Sequence, residues 1–246
     1  MLKKKLLLFS ILPVLLTFAA CKKEIDVFNN DYQTLGTSAH GLLSSNQFIS
    51  LNVEINYMPG YKPDSNVVSA LNSFLNTYLN KPGGIQILQK QIAASSKAIL
   101  TLKEIVAVEK LNRTAFTKYN EIAVYILIAD ANFSDSTVFA TSYWNTSFCL
   151  FGKNIFINSG GATQVKRTTL FSTLMEHEFG HLLGLVGQGS PMQLEHKDIA
   201  NGAHCNNPDC LMYYGVETSD NMALPVSFIA SLDANCTADL KANGSK

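Results

Sequence analysis

Three residues near position 180 have the types and the spacing of a metal site that activates water. In the stretch LMEHEFGHLLG, His177 and His181 are four residues apart, and Glu178 follows the first of them. On a helix, residues four apart project from one face, so both imidazoles could bind one zinc ion at about 2.0–2.1 Å. Glu178 would lie beside the ion without binding it, where its carboxylate could accept a proton from water. A catalytic zinc usually has three protein ligands, so the sequence must provide one more.

The residues after the second histidine resemble those of a known family. The pattern H-E-x-x-H-x-x-G, which ends here at Gly184, is similar to the metzincin motif, in which a third histidine comes three residues after the glycine. That position is Gly187 in this chain, which has no side chain to bind metal. Further along, HCNNPDCLMYY at 204–214 resembles the segment that completes the site in archaemetzincins. The resemblance implies His204 as the third ligand and Met212 as the methionine of a turn beneath the metal.

Two alternatives for the third ligand stay open. His196, in the sequence LEHKD, is another histidine after the motif, although a loop-stabilising role near Asp198 also suits it. A thermolysin-like site would instead use a downstream glutamate, and the candidates are Glu195 and Glu217. That arrangement would leave Met212 and the glycine spacing unexplained, so we favour the histidine that the resemblance implies.

A helix from about Val165 to Gly184 must present the motif, and a mixed sheet must support that helix. The apolar run EIAVYILIAD at 121–130 is rich in β-branched residues and predicts a central strand. Strands and helices alternate before it, which predicts a mixed α/β fold with helices packed on the sheet, like that of metzincins. The other predicted elements are strands at 48–58, 84–92, 147–152 and 154–160, the last two as a hairpin around Gly152 and Lys153, and helices at 64–80, 97–111 and 225–240.

Five cysteines are present, and their spacing predicts one local disulfide. Cys205 and Cys210 enclose Asn, Asn, Pro and Asp, which are turn-forming residues, so these two thiols are expected to pair in an oxidising compartment. Cys149 and Cys236 remain, and nothing in the sequence shows that they meet. Archaemetzincins hold a second, structural zinc with their cysteines and a later C-x-x-C. Because this chain has only Cys236 after Cys210, we expect one zinc ion.

The N-terminus predicts export and lipid attachment. MLKKK is a short basic head, and the largely apolar run of about 15 residues that follows it is shorter than the roughly 20 that a membrane-spanning helix needs. The ending TFAAC resembles the lipobox of bacterial lipoproteins, which implies that Cys21 carries the lipid. The prediction is therefore a signal peptide at 1–20, a polar tether at 21–46 and one domain at 47–246, anchored to a membrane of the bacterial cell envelope.

Charge and composition limit the classes of partner. Removing residues 1–20 takes away three lysines and no acid, which leaves 16 basic residues against 19 acidic ones. No basic patch suggests nucleic acid as a partner. With 47% hydrophobic and 15% charged residues, the chain has the composition of a folded domain, and we expect a monomer.

The resemblance implies a zinc-dependent endopeptidase that cleaves peptides or proteins, with Glu178 as the general base. Tyr214 lies two residues after the turn methionine, as in astacins and serralysins, where that hydroxyl helps to stabilise the oxyanion; a tyrosine of the core or the cleft rim fits the position equally. The alternative function is a surface lipoprotein without catalysis, a binding module that keeps zinc for structure. A purely structural metal would not need Glu178.

Overall fold

A twisted mixed sheet lies at the centre of the protein, which the computed structural model describes over residues 28–216 and 229–246. The predicted α/β class is confirmed. The strands are β1 (Ser50–Tyr57), β2 (Ile85–Gln91), β3 (Ile99–Leu100), β4 (Glu121–Ala129), β5 (Asn132–Phe133), β6 (Ala140–Trp144) and β7 (Ser147–Phe151). The main sheet has the order β2-β1-β4-β7-β6, in which β6 alone runs antiparallel to its neighbour. Strands β3 and β5 form a separate parallel pair.

Helices cover both faces of the sheet. They are α1 (Phe28–Asp31), α2 (Ala39–Leu43), α3 (Ser65–Tyr78), α4 (Leu102–Asn112), α5 (Gly152–Ile157), α6 (Arg167–Leu182) and α7 (Ala234–Ala242), with a 3-10 turn at Tyr214–Val216. Asp64 caps α3, because its carboxylate accepts the backbone N–H groups of Asn66 and Val67. Thr101 and Glu104 form a reciprocal capping box at the start of α4. Within 28–216 and 229–246, no helix combines the length and the apolar character needed to cross a membrane.

Strand β4 separates two apolar cores, because alternate side chains of a strand point to opposite faces. Val124, Ile126 and Ile128 belong to the larger core, which α3 and α6 cover. Tyr125 and Leu127 belong to the smaller core beside α4. Every residue of β4 after Glu121 is buried, which explains the unbroken apolar run in its sequence.

The predicted hairpin at 147–160 is wrong in its second half. After β7 the chain forms helix α5, and the amide of Asn154 donates to the carbonyl oxygens of Ser136 and Val138, both at 3.0 Å. These contacts with a preceding loop favour the helix over the predicted strand. The hairpin forms instead between β6 and β7.

The described part of the predicted tether is packed against the domain. Leu42 and Leu43 are fully buried in the larger core, and the buried carboxylate of Asp31 lies 3.3 Å from the guanidinium of Arg113. The folded domain therefore begins well before residue 47, because the polar stretch contains apolar residues and a charge that is paired inside the protein. The predicted signal peptide and Cys21 lie outside the described residues, as does the first part of the helix predicted at 225–240.

Candidate metal centres

Helix α6 presents the two histidines of the motif from one face, one turn apart. All its residues from Thr169 to Leu182 are buried. The Nε2 atoms of His177 and His181 lie 3.1 Å apart, close to the roughly 3.3 Å that separates two nitrogens on a tetrahedral zinc. The Nδ1 atom of His177 lies 2.7 Å from the carbonyl oxygen of Leu211, to which the ring can donate. That hydrogen bond fixes the tautomer in which Nε2 is the metal ligand.

His204 completes the set. Its ring centroid lies 5.4 Å from that of His177 and 5.1 Å from that of His181, and one nitrogen of each ring lies within 4.8 Å of the others. The Nδ1 atom of His204 lies 2.6 Å from the carbonyl oxygen of Asn201, so Nε2 is the nitrogen that would bind the metal. Three imidazole ligands, with the fourth coordination position of a tetrahedral zinc open, fit a catalytic zinc site. The structure thus brings together the three histidines that the sequence suggested as ligands.

A sharp turn after α6 lets the loop return with His204. Gly184 has φ +74, a left-handed conformation that favours glycine, and a Cβ there would lie 2.6 Å from the backbone nitrogen of Ser190. The returning segment is held by backbone hydrogen bonds, among them Asp198 N–H to the carbonyl of His204 at 2.7 Å. Gly184 therefore allows the sharp turn after α6, and the loop that begins there returns to the site with His204.

Glu178 lies beside the three histidines at the wall of a cleft. Its side chain is fully buried, and its Oε2 accepts a hydrogen bond from the hydroxyl of Ser142 at 2.6 Å. The cleft has a volume of about 280 Å³. Its lining includes Leu35, Phe133, Ser142, Glu178, His181 and His204. Strand β6, which carries Ser142, is the edge of the sheet on this side, and β7 lies inside it.

Met212 packs against Gly180, the residue before His181 on helix α6, and its role as the turn methionine stays a prediction. A Cβ on Gly180 would lie 2.2 Å from the Met212 sulfur, so only glycine leaves room for this contact. Tyr214 begins the 3-10 turn that follows, and its ring lies 4.7 Å from that of Tyr213. Tyr214 is not among the residues that line the cleft, and its part in the reaction stays a prediction.

The predicted disulfide between Cys205 and Cys210 is wrong. Both thiols are free, and they converge with the thiol of Cys236 and the carboxylate of Asp233 within 4.8 Å. The sulfurs of Cys210 and Cys236 lie 3.6 Å apart, close to the roughly 3.8 Å expected between two thiolates on a tetrahedral zinc. Cys149 is also free, and it lies in the smaller core, away from this cluster. The geometry is that of a metal site rather than of a covalent bridge.

His196 joins this second cluster instead of the first. Its Nδ1 atom lies 3.4 Å from the Cys205 sulfur and 3.9 Å from the Cys236 sulfur, around the roughly 3.6 Å expected for a nitrogen and a sulfur on one zinc. Its Nε2 lies 2.8 Å from Asp239, and not near Asp198 as predicted. This carboxylate orients the ring toward the sulfurs, as the outer partner of a metal-binding histidine usually does.

Asp233 is better explained as a helix cap than as a metal ligand. Its Oδ1 accepts the backbone N–H of Cys236 at 2.9 Å, and its Oδ2 accepts the amide of Asn207 at 3.1 Å. His196 is therefore the better fourth ligand, and three cysteines with one histidine are a usual structural zinc set. Hydrogen bonds with the thiols of Cys205 and Cys236 lower the pKa of the Cys210 thiol to about 4, which favours a thiolate at this position.

Comparison with solved structures gives a likeness over most of the chain. Archaemetzincin from Methanopyrus kandleri matches with a TM-score of 0.52 and 13% identity, over 79% of this chain and 96% of that chain. This chain has the archaemetzincin fold. Metalloproteinase-II from Bacteroides fragilis matches with a TM-score of 0.43 and 13% identity, over 89% of this chain and 59% of that chain. No family model matches the sequence, and no curated protein matches it.

Within this archaemetzincin fold, sequence reasoning missed three functional candidates. His196 was considered for the wrong centre, Cys236 was left without a partner, and Ser142 carried no signal at all. Cys236 lies 26 residues after Cys210, so no compact motif joins them. The one available signal was the presence of several cysteines near the histidines. The turn residues between Cys205 and Cys210 led us to interpret these two cysteines as a disulfide.

Proposed function

We propose that the protein is a zinc-dependent peptidase. The observation that carries the proposal is the convergence of three imidazoles beside the carboxylate of Glu178, at the wall of a cleft. A structural zinc normally has four protein ligands, whereas these three histidines leave one position for water or substrate. The archaemetzincin fold, which has the same active-site helix and turn, adds support from architecture alone.

Each residue of the site would have one role in peptide hydrolysis. His177, His181 and His204 would hold the zinc. When bound, zinc lowers the pKa of water toward 7 and polarises a carbonyl group. The Glu178 carboxylate accepts the proton of the attacking water and returns it to the leaving nitrogen. We further propose that the Tyr214 hydroxyl helps to stabilise the oxyanion.

Strand β6 is the part of the sheet that can hold the substrate. Among the described strands it pairs only with β7, so its other edge offers backbone N–H and C=O groups to an extended peptide. Thr141 and Ser142, on this strand, line the cleft beside Glu178. An extended peptide paired with β6 would therefore place a carbonyl next to the three histidines. Pairing through the backbone accepts many sequences, which suits an endopeptidase for protein or peptide substrates.

We propose two zinc ions instead of the single ion that the sequence suggested. The second would be held by Cys205, Cys210, Cys236 and His196, with Asp239 orienting the histidine. Four protein ligands leave no position for water, so this ion would stabilise the fold and take no part in hydrolysis. Its role would be to fix the segment that carries His204 and Met212.

Location is proposed from the sequence alone. The leader and the lipobox-like TFAAC support a lipid on Cys21 and attachment to a membrane of the bacterial cell envelope. The same reasoning supports a monomer that acts on peptides and not on nucleic acid. An exported thiol cluster needs protection from oxidation, and bound zinc would supply it.

The test measures zinc content and casein cleavage for the wild type and three variants. Glu178→Ala should keep all its zinc and lose about 100-fold to 10,000-fold in kcat, the usual contribution of a general base. His204→Ala should lose one zinc per chain together with activity. His40→Ala is the matched control, because the ring of His40 contacts Asn243 and Ser44, which are far along the chain from the motif. This variant should keep its zinc and its activity. A wild type that binds zinc and cleaves no peptide would favour the binding module.

A further inference from the structure

We infer that Ser142 is a positioning residue for the general base, an inference that rests on the proposed peptidase function. The Ser142 hydroxyl lies 2.6 Å from Glu178 Oε2 and 3.3 Å from the backbone carbonyl oxygen of Glu178. A hydroxyl has one proton to donate, and the shorter contact to a charged oxygen takes it. Ser142 therefore holds one oxygen of the carboxylate that is to move the proton.

The pairing of strand β6 places Ser142 on the face toward helix α6, directly before a β-bulge. Ser142 pairs with Phe148 and Trp144 pairs with Ser147, so Tyr143 is an extra residue in strand β6. An extra residue bends the strand and redirects the side chains beside it, and bulges are frequent next to active sites. Directly paired residues share a face of the sheet, so Ser142 lies on the same face as Phe148, which packs against helix α6.

Aromatic contacts on both sides keep the bulge in place. Phe148, opposite Ser142, packs edge-on against Phe179 of helix α6 with ring centroids 5.5 Å apart, and Phe179 follows Glu178 directly. On the other side, Trp144 packs edge-on against Tyr32 at 6.1 Å. The strand and the catalytic helix are thus fixed to each other at the two residues that share the hydrogen bond.

A fixed carboxylate matters because Glu178 must act twice. It accepts a proton from water and later gives it to the leaving nitrogen, and both transfers need an oxygen within hydrogen-bond reach of the reacting atoms. Without the hydroxyl, Oε2 of Glu178 loses the 2.6 Å hydrogen bond that helps to set the orientation of the carboxylate. Substrate binding through the backbone of β6 does not use the Ser142 hydroxyl, so its loss should change the chemical step and not the binding of substrate.

The experiment compares Ser142→Ala and Ser142→Thr in the zinc-loaded protein. Ser142→Ala should lower kcat by about tenfold to hundredfold, the range for a small misplacement of a catalytic group, with KM, zinc content and Tm close to those of the wild type. Ser142→Thr keeps a hydroxyl and should restore most of kcat. Recovery of kcat in Ser142→Thr, and a lower kcat with an unchanged KM in Ser142→Ala, distinguish a positioning role from a merely structural one.

Ser159→Ala is the matched control, because that buried serine also donates one hydrogen bond, to the carbonyl of Ile155 at 2.6 Å, away from the cleft. It should leave kcat unchanged. Wild-type kcat in Ser142→Ala, or loss of kcat in both Ser142 variants alike, would overturn the inference while leaving the peptidase proposal intact. An inactive wild type would overturn the peptidase proposal, and with it this inference. A lower zinc content or a lower Tm in Ser142→Ala would instead indicate that Ser142 has a structural role.

Discussion

The Nδ1 atom of His177 lies 2.7 Å from the carbonyl oxygen of Leu211, the residue between Cys210 and Met212. One short segment therefore contacts both candidate metal centres: Cys210 belongs to the cysteine cluster, Leu211 orients His177 of the histidine centre, and Met212 packs against Gly180 of helix α6. The backbone carbonyl of Met212 also accepts the N–H of Cys205 at 2.8 Å. The two centres are thus mechanically joined, and the cysteine cluster helps to fix helix α6.

The first prediction concerns the number of zinc ions. Cys236→Ala removes one of the three sulfurs, so the zinc content should fall from two ions per chain to one, measured by elemental analysis after dialysis. Cys149→Ala is the control, because this cysteine is buried in the smaller core and outside the cluster. It should keep two ions. One ion in the wild type, or equal zinc in both variants, would contradict the second centre.

The second prediction concerns the residue that orients His196. Asp239→Asn weakens the hydrogen bond that now joins Oδ2 to Nε2 at 2.8 Å. Loss of such an outer partner typically weakens metal binding about 10-fold to 100-fold. Competition with a chelator should therefore remove one zinc at a lower chelator concentration than in the wild type. The site of His177, His181 and His204 keeps all its ligands, so the weakened zinc should be the one bound by the cysteines. Release of that zinc at the wild-type chelator concentration would contradict the role of Asp239.

The third prediction concerns Gly180 and Met212. Gly180→Ala places a Cβ 2.2 Å from the Met212 sulfur, which must move. Extra atoms in a packed core usually cost about 1–3 kcal/mol, more than the roughly 1 kcal/mol that alanine adds to a helix over glycine. Urea unfolding should show a net loss of stability. In a Met212→Ala background the same change should be neutral or stabilising, and an equal loss in both backgrounds would refute the contact.

How much of this site could be predicted depends on where its residues lie in the chain. His177, Glu178 and His181 follow from helical spacing, because one element carries all three. The position of His204 followed only from resemblance, since spacing says nothing about where a 20-residue loop returns. The cysteine cluster draws its ligands from a loop, a turn and helix α7, and no local pattern encodes their meeting. Sequence distance, more than residue type, limited the prediction.

The same limit applies to the fold. Strand β4 and helices α3 and α6 were predictable, because their apolar residues repeat with the period of the element that they form. Strand β6 was not, because its residues from Thr141 to Trp144 are only half-buried and show no alternation. The segment from 28 to 46 looked like a tether because its composition is polar, but the ion pair of Asp31 with Arg113 is a tertiary contact that composition cannot reveal.

The fourth prediction concerns that buried ion pair. The guanidinium of Arg113 lies 2.8 Å from Glu109 and 3.3 Å from Asp31, and all three side chains are fully buried. Arg113→Met would leave two carboxylates inside the protein without a cation, which costs about 3–5 kcal/mol in comparable cases. Arg167→Met is the control, because its guanidinium lies over the Phe156 ring on an exposed part of helix α6. Chemical unfolding should show a large loss of stability for Arg113→Met and little loss for Arg167→Met. A similar loss of stability in both variants would contradict the ion-pair network.

The last prediction concerns acid and the capping box of helix α4. The hydrogen bond from Lys97, followed by those from the N–H and the hydroxyl of Thr101, lowers the pKa of Glu104 from 4.5 to about 2. A carboxylate with a lowered pKa stabilises the folded state fully above pH 4.5, and this contribution is lost as the pH falls toward 2. Glu104→Gln cannot titrate, so its Tm should lie below that of the wild type near pH 6, and the two should converge in acid. Lys97→Met keeps the Thr101 donors and should show a smaller pH dependence in the same window; a Tm difference that stays constant from pH 6 to pH 2 would show that ionised Glu104 does not stabilise the helix.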